Sequence, residues 1–268
     1  MRALDPHLAG VPVLVRGEPG TGRGTLLRYQ HYFGGTGDGA FAHIPCNGET
    51  AVAEIERVLF DLGRTHPRLP SLTVWLEEVG ALSARAQRQF ATWLDAGPPP
   101  GVRTPTLRWL ASLDANGPAL DTRLAHALAT IEIRLPALRE RSERIEPIAA
   151  SIAAAWAHAR RETPRGFSPE ALAFLREYPW PGNLRELEAV VEQSLAATAR
   201  TPLGIDDLLL EGIPLAPIDA ASVGTLLSED DAEAAPQSAP ASGLRTWWIS
   251  ALASRRSPGS SSRIRGGG

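Results

Sequence analysis

The 268-residue chain predicts an α/β fold, a parallel sheet of about five strands flanked by helices and followed by a small helical unit. Three observations carry this reading. Short apolar runs alternate with helical periodicity from Val11 to Leu135. The first apolar run breaks into a glycine-rich turn that opens directly into a helical pattern. After Pro136 the strand-like runs cease and the periodicity is helical throughout.

Residues 1–10 read as the end of a helix stopped by Gly10. Val11–Arg16 is the first buried strand, and Thr25–Phe33 the first helix of the alternation, with Leu26 and Leu27 in its opening turn. Phe41–Cys46 is a second strand, broken by Pro45. Val52, Ile55, Val58 and Leu59 share one face of a helix over Ala51–Leu62. Leu72–Leu76 is a β-rich run ending in Glu77 and Glu78. Ser83 is positioned as the N-cap of a helix reaching Leu94. The proline-rich stretch Ala96–Gly101 is an exposed loop. Thr106–Ser112 and Thr130–Leu135 are the fourth and fifth strands, with a helix near Pro118–Ala129 between them. Ile145–Arg161, Ser168–Glu177 and Asn183–Ala199 are three further helices, the second opened by Pro169 at its first position. From about Gly212 the composition turns to Ala, Ser, Pro and Gly, with an acidic patch (Glu229, Asp230, Asp231, Glu233) and a basic end (Arg255, Arg256, Arg263, Arg265). The expected organisation is an α/β subdomain over 1–140, a helical lid over 141–211 and a disordered tail over 212–268. Trp247-Trp248-Ile249 is the apolar cluster of that tail, a candidate docking segment.

Composition narrows the function class. The net charge of −3 points to no particular partner, and every basic residue besides histidine is arginine, with no lysine in the chain. Such a bias makes an arginine in a lysine position a product of composition as readily as a new role. The lone Cys46 excludes an internal disulfide and a cysteine-only metal site. No apolar run approaches the ~20 residues of a membrane span, and the start of the chain lacks a signal-peptide core. A cytoplasmic location is expected. The histidines show no metal-ligand spacing. Trp93, Trp109 and Trp156 read as core residues, and Cys46 as a buried strand residue.

Two motifs carry chemistry. Gly17-Glu18-Pro19-Gly20-Thr21-Gly22-Arg23-Gly24-Thr25 follows a buried strand and opens a helix. Glycines there let backbone N–H groups turn inward around an anion, and the helix N-terminus adds partial positive charge. The spacing fits G-x-x-x-x-G-K-[ST], with Arg23 in the lysine position and Gly24 in that of the Mg²⁺-binding hydroxyl. A plain β-turn is the ordinary alternative. A dinucleotide fingerprint is not met, because Thr25 stands where its third glycine belongs. The second motif, Leu72–Glu78, has the form of a Walker B strand, which delivers one acid to hydrated Mg²⁺ and a second to the attacking water. Glu77 in place of aspartate extends the first carboxylate by about 1.5 Å, and misplacement of that order costs roughly 10²-fold in rate. A solvated acidic strand end is the alternative for Glu77 and Glu78.

Pro136-Ala-Leu-Arg-Glu-Arg141 and Tyr178-Pro-Trp-Pro-Gly-Asn-Leu-Arg-Glu-Leu-Glu188 closely resemble the LPPLRER and YPWPGNVRELEN signatures of the AAA+ domain of sigma-54-dependent transcription activators. Gly17–Gly24 resembles that family's GESGTGKE, Phe41–Asn47 its FVxVNC strand, and Leu76–Gly80 its LDEIG. The likeness covers roughly residues 4–210. It implies an AAA+ P-loop fold with a helical lid, ATP and Mg²⁺ as cofactors, ring-forming subunits, sigma-54 RNA polymerase as partner, and regulation of transcription. By the same carry-over, Gly17–Thr25 binds the phosphates, Glu77 holds Mg²⁺ through water, Glu78 acts on the attacking water, and Arg185 senses the γ-phosphate. Outside the resemblance, Arg185 reads as an exposed helix arginine paired with Glu188 or Glu192.

Departures from the family pattern bear on catalysis and coupling. The sigma-gripping GAFTGA loop is absent, with only Leu62–Pro70 between Leu59-Phe60-Asp61 and the Walker B strand. The two arginine-finger positions hold Asp121 and Ala127, and Arg123 substitutes only if the register slips. Loss of such a finger costs roughly 10³–10⁵ in turnover. The first sensor pair becomes Leu113-Asp114. Neither a receiver domain nor a helix-turn-helix is expected in this chain. The expectation is therefore an ATP-binding AAA+ protein with weak or lost hydrolysis. The alternative is a non-catalytic nucleotide-sensing or scaffold module that assembles, as a homo- or hetero-oligomer, with an intact relative.

Overall fold

A computed structural model of the chain describes residues 10–34, 39–50, 52–65, 70–97 and 106–210. The expected N-terminal helix end, most of the Ala96–Gly101 loop and the 212–268 tail lie outside the described residues. Five parallel strands form one sheet in the order β2-β3-β4-β1-β5. They are β1 (Val13–Gly17), β2 (Ala40–Pro45), β3 (Leu72–Glu77), β4 (Leu107–Asp114) and β5 (Glu132–Arg134). Helices α1 (Arg23–Phe33), α2 (Val52–Thr65), α3 (Ala84–Ala96) and α4 (Thr122–Leu128) make the crossovers. β5 is shorter than the apolar alternation suggests, and α1 begins two residues earlier, at Arg23.

The strands read as near-continuous apolar runs because helices cover both sheet faces. In β3, Leu72 to Leu76 are all buried, and in β4 Arg108 to Leu113 are. One core packs Leu14, Leu76, Phe90, Trp93, Trp109 and Leu113 with α2 and α3, and a second packs Val13, Val15, Leu27, Trp75 and Leu110 beneath α1. Ser83 caps α3 by accepting a hydrogen bond from the Ala86 N–H at 3.3 Å. Trp93 and Trp109 are buried and stacked, and Trp156 is buried in the helical unit, all as expected.

Arg108, wholly buried in β4, was not anticipated. Its Nη1 donates to the carbonyls of Gln30 and Gly34 at 3.0 and 3.1 Å, and its Nη2 to Gln30 Oε1 at 3.3 Å. It thus satisfies carbonyls that the end of α1 leaves open. Burial depresses the guanidinium pKa.

Beyond a 3₁₀ segment at Leu138–Arg144, α5 (Ile145–Arg160), α6 (Pro169–Glu177) and α7 (Asn183–Ala197) share a separate apolar core with Ile148, Ile152, Trp156, Leu175, Trp180, Leu187 and Val191. The bend before α7 is internally satisfied. Trp180 and Asn183 both adopt left-handed φ, 48° and 56°. Trp180 Nε1 donates to the Leu175 carbonyl at 2.8 Å, and the Glu186 carboxylate accepts from the Gly182 N–H at 2.7 Å and the Tyr178 hydroxyl at 3.1 Å. That network is why Tyr178–Glu186 forms a fixed turn that brings the start of α7 against the sheet edge.

Candidate functional site

The strand order decides what meets at the carboxyl edge. β4 lies between β1 and β3, so the turn after β1 faces the acids after β3 across Leu113 and Asp114. Ligands of open α/β sheets bind at this edge. Gly20 and Gly22 take left-handed φ of 78° and 96°, and Gly22 precedes the first residue of α1. A Cβ on Gly20 would lie 2.0 Å from the Gly182 carbonyl oxygen, so the lid sits directly on the turn. Thr21 is turned inward, its hydroxyl donating to the Glu18 carbonyl at 2.7 Å. Thr25 lies half-buried in the first turn of α1.

Gly24 has a steric reason. A Cβ there would come within 2.7 Å of Trp75 Cη2. Trp75 is held by stacking on His43, with ring centroids 3.9 Å apart, and by donating to Ser112 Oγ at 3.2 Å. The glycine in the hydroxyl position is therefore matched to a tryptophan on β3.

Arg23 is buried and its Nη2 donates to Glu78 Oε1 in a salt bridge. Its Nη1 is buried with no hydrogen-bond partner among the described residues. Glu78 is held on its other side as well. Oε2 accepts from the Asp114 N–H at 2.8 Å, and the Glu78 N–H donates to Ser112 Oγ at 3.3 Å. Its backbone is left-handed at φ 57°, ψ 52°, a conformation of about 1–3 kcal/mol strain for a non-glycine residue. Glu77 pairs instead with His43 Nε2 at 2.7 Å. Burial pushes the Glu77 carboxyl up, but the His43 hydrogen bond and charge, with Arg23 and Arg185 behind them, outweigh it and hold it below the ordinary range. Arg185, in the first turn of α7, is exposed and makes no ion pair with Glu188 or Glu192 among the described residues. Glu188 is correspondingly reluctant to ionise. Burial and the charge of Glu192 push it up to about 7, only partly offset by Arg185.

A further set of contacts ties this edge to the lid. Arg139 grips Glu18 through two bonds, 2.7 and 2.5 Å. Asn183, wholly buried, donates to Glu18 Oε2 at 3.2 Å and the Pro19 carbonyl at 2.9 Å, and accepts from the Leu138 N–H at 2.8 Å. Hydrogen bonds from Arg139 first, then from Asn183 and Asn116, hold the Glu18 carboxyl down at about 2 despite burial. Sequence reading missed His43, Ser112, Arg139 and Asn183. Arg139 and Asn183 lay inside the quoted motifs, but nothing local marked their partner. Cys46, just past β2, is buried, and burial followed by the charges of Glu77, Glu78 and Glu54 pushes its thiol up to about 12. Both burial and these charges disfavour the thiolate that a nucleophilic cysteine needs.

The donor set fits a polyphosphate, with two left-handed glycines, a helix start and a buried guanidinium nitrogen unpaired among the described residues. It fits Mg²⁺ less directly. Position 24 offers no hydroxyl, Glu77 and Glu78 are engaged by His43 and Arg23, and no cluster of three metal-ligating side chains occurs among the described residues.

The profile of the AAA+ ATPase lid domain matches residues 139–213, the segment that forms the helical unit beside the turn. The chain belongs to the AAA+ family. AAA+ relatives extend across most of it. The alginate biosynthesis transcriptional regulatory protein AlgB of Pseudomonas syringae pv. tomato is 30% identical over 247 residues, covering 83% of this chain and 54% of its own length. The hydrogenase transcriptional regulatory protein HoxA of Cupriavidus necator is 29% identical over 216 residues, covering 70% and 44%. This AAA+ chain thus spans about half the length of the curated relatives it matches. Among solved structures, NtrX from Brucella abortus in complex with ADP superposes with a TM-score of 0.61 at 21% identity, over 75% of this chain and 51% of that one. A point mutant of RuvB from Thermotoga maritima gives 0.56 at 13%, over 77% and 65%. These two show the fold. The likeness to sigma-54-activator AAA+ domains read from the sequence is borne out at family level, the relatives being transcriptional regulatory proteins. Among the described residues no helix is long and apolar enough to cross a membrane.

Proposed function

We propose that this chain is an ATP-binding AAA+ subunit in the regulation of transcription, cytoplasmic, with an α/β subdomain over 1–140 and a lid over 141–211, whose own hydrolysis is weak or lost. The observation that carries it is the buried Arg23 Nη1, without a partner among the described residues and beside left-handed Gly20 and Gly22. A buried guanidinium N–H costs stability unless an acceptor arrives, and phosphate oxygens are what this turn is shaped to bring. Gly17 to Thr25 would supply backbone N–H groups, Arg23 its guanidinium, and Arg185 a second cation from the lid, while Glu77 would reach Mg²⁺ through water. NtrX has been crystallised with ADP and with ATP, which supports nucleotide binding by this fold.

Several features argue for slow turnover. Asp121 caps α4 by accepting from the Arg123 N–H at 3.0 Å, and Arg123 is bound to Asp95 of its own subunit at 2.9 Å. Asp121 offers no cation, and Arg123 is paired within its own subunit. α2 and β3 are joined by residues 66–71 alone, which leaves no room for a sigma-gripping hairpin. Contact with sigma-54 RNA polymerase would then pass through a partner subunit. A second reading, a nucleotide-sensing subunit that co-assembles with an intact relative, is favoured by these same finger positions.

Titration with ATP, run beside a phosphate-release assay on the protein alone and mixed with a competent relative, tests both. Binding with negligible release is expected from the protein alone. Turnover comparable to active relatives and abolished by Glu78→Gln would overturn the weak-hydrolysis reading. Absence of ATP and ADP binding would overturn the nucleotide reading.

A further inference from the structure

We propose that Glu78 is an intramolecular competitor for the nucleotide phosphates, a carboxylate gate on Arg23 rather than a base for water. The proposal rests on the nucleotide reading above. A water-activating carboxylate has to be presented to the water it deprotonates. Here Oε1 is turned to the Arg23 guanidinium and Oε2 to the Asp114 N–H, so the group is aimed at the cation of the turn. The backbone is fixed in the same place, since the left-handed Glu78 donates its N–H to Ser112 Oγ, the atom that also receives Trp75 Nε1. Trp75 in turn is seated in the space that Gly24 leaves. Gly24, Trp75, Ser112 and Asp114 therefore act together to hold the carboxylate on the cation that the phosphates require.

Arginine makes the arrangement workable. A lysine ammonium is a compact point charge, whereas the planar guanidinium presents separate N–H groups in a fixed fork. Nη2 is occupied by Glu78 while Nη1 stays buried without a partner among the described residues. An incoming phosphate meets the unpartnered Nη1 group and gains the Nη2 N–H that Glu78 holds only when Glu78 withdraws. Nucleotide affinity is thus set by an exchange of one anion for another on Arg23. ATP binding and release of Glu78 become one event.

Calorimetric titration of the full chain with ATP, on wild type, Glu78→Gln, Arg23→Ala and the double variant, tests this. Glu78→Gln should bind ATP about tenfold more tightly than wild type, the size of one charge-assisted hydrogen bond no longer in competition. Glu78→Ala, which removes the charge with a different shape, should shift affinity the same way. In the Arg23→Ala background, Glu78→Gln should give no gain. An equal gain in that background would mean general relief of charge repulsion and would overturn the gate. So would wild-type binding with no tightening in either Glu78 variant. Failure of all the proteins to bind ATP would overturn the nucleotide reading and the gate together, whereas binding by Glu78→Gln alone would be the strongest support for it.

Discussion

Single residues at the site are explained by what stands opposite them. Gly24 is one of them, since Trp75 occupies the volume of any side chain placed there. Gly24→Ser, which restores the hydroxyl of the usual motif, should destabilise the fold by about 1–3 kcal/mol through overpacking. Urea denaturation would measure this, and Trp75→Leu in the same chain should recover part of the loss. His31 is another. It is buried, with Nδ1 2.9 Å from Thr73 Oγ1. Burial first, and then the Arg108 charge, lower its pKa from 6.5 to about 4. The folded state therefore resists a proton that the unfolded chain accepts. The stability His31 contributes is complete above pH 6.5 and is lost as pH falls toward 4, by on the order of 3 kcal/mol at 1.36 kcal/mol per unit. Glu188, raised to about 7, acts in the opposite sense, because its contribution falls as pH rises through that value. Stability of wild type against His31→Gln across pH 4–7 isolates the histidine, and parallel curves would refute this account.

At the level of elements, the lid is joined to the phosphate turn by buried polar contacts. Asn183 serves three groups at once, the Glu18 carboxylate, the Pro19 carbonyl and the Leu138 N–H, and does so from a left-handed backbone. Asn183→Ala should leave those partners unsatisfied and cost about 1–3 kcal/mol. Limited proteolysis should then cleave between the sheet and α5 faster than in wild type, while the helical core of α5, α6 and α7 stays protected. Unchanged cleavage would mean that the lid is held by its apolar contacts alone. The strands and helices themselves were legible in the sequence to within a few residues. Their signals are local, as in the Ser83 cap, the Pro169 start and the apolar runs of β1, β3 and β4. The ends of β5 were not legible, because the ladder covers only Leu14–Arg16 of β1, while Ile131 and Leu135, inside the same apolar run, each add a single backbone bond to β1 outside the strand.

For the whole molecule, ligand binding and folding are linked. A nucleotide that binds only the folded state at 100 times its Kd should stabilise it by about 2.7 kcal/mol. A rise in Tm with ATP concentration would show this, and Glu78→Gln should reach the same rise at lower ATP. The sequence by itself determined the alternation of strands and helices, the glycine-rich turn, the acid-ended strand and the membership in the AAA+ family. Each of these is written in residues close together along the chain, as periodicity, backbone permissiveness or motif. Only the tertiary structure decided what each side chain faces. Arg23 and Glu78 are 55 residues apart and Asn183 and Glu18 165 apart. They meet because β4 inserts between β1 and β3 and the start of α7 packs on Gly20. The glycine-rich turn of the sequence is thereby a turn whose cation is already held by an acid, since partner identity follows from strand order and lid docking and not from spacing along the chain.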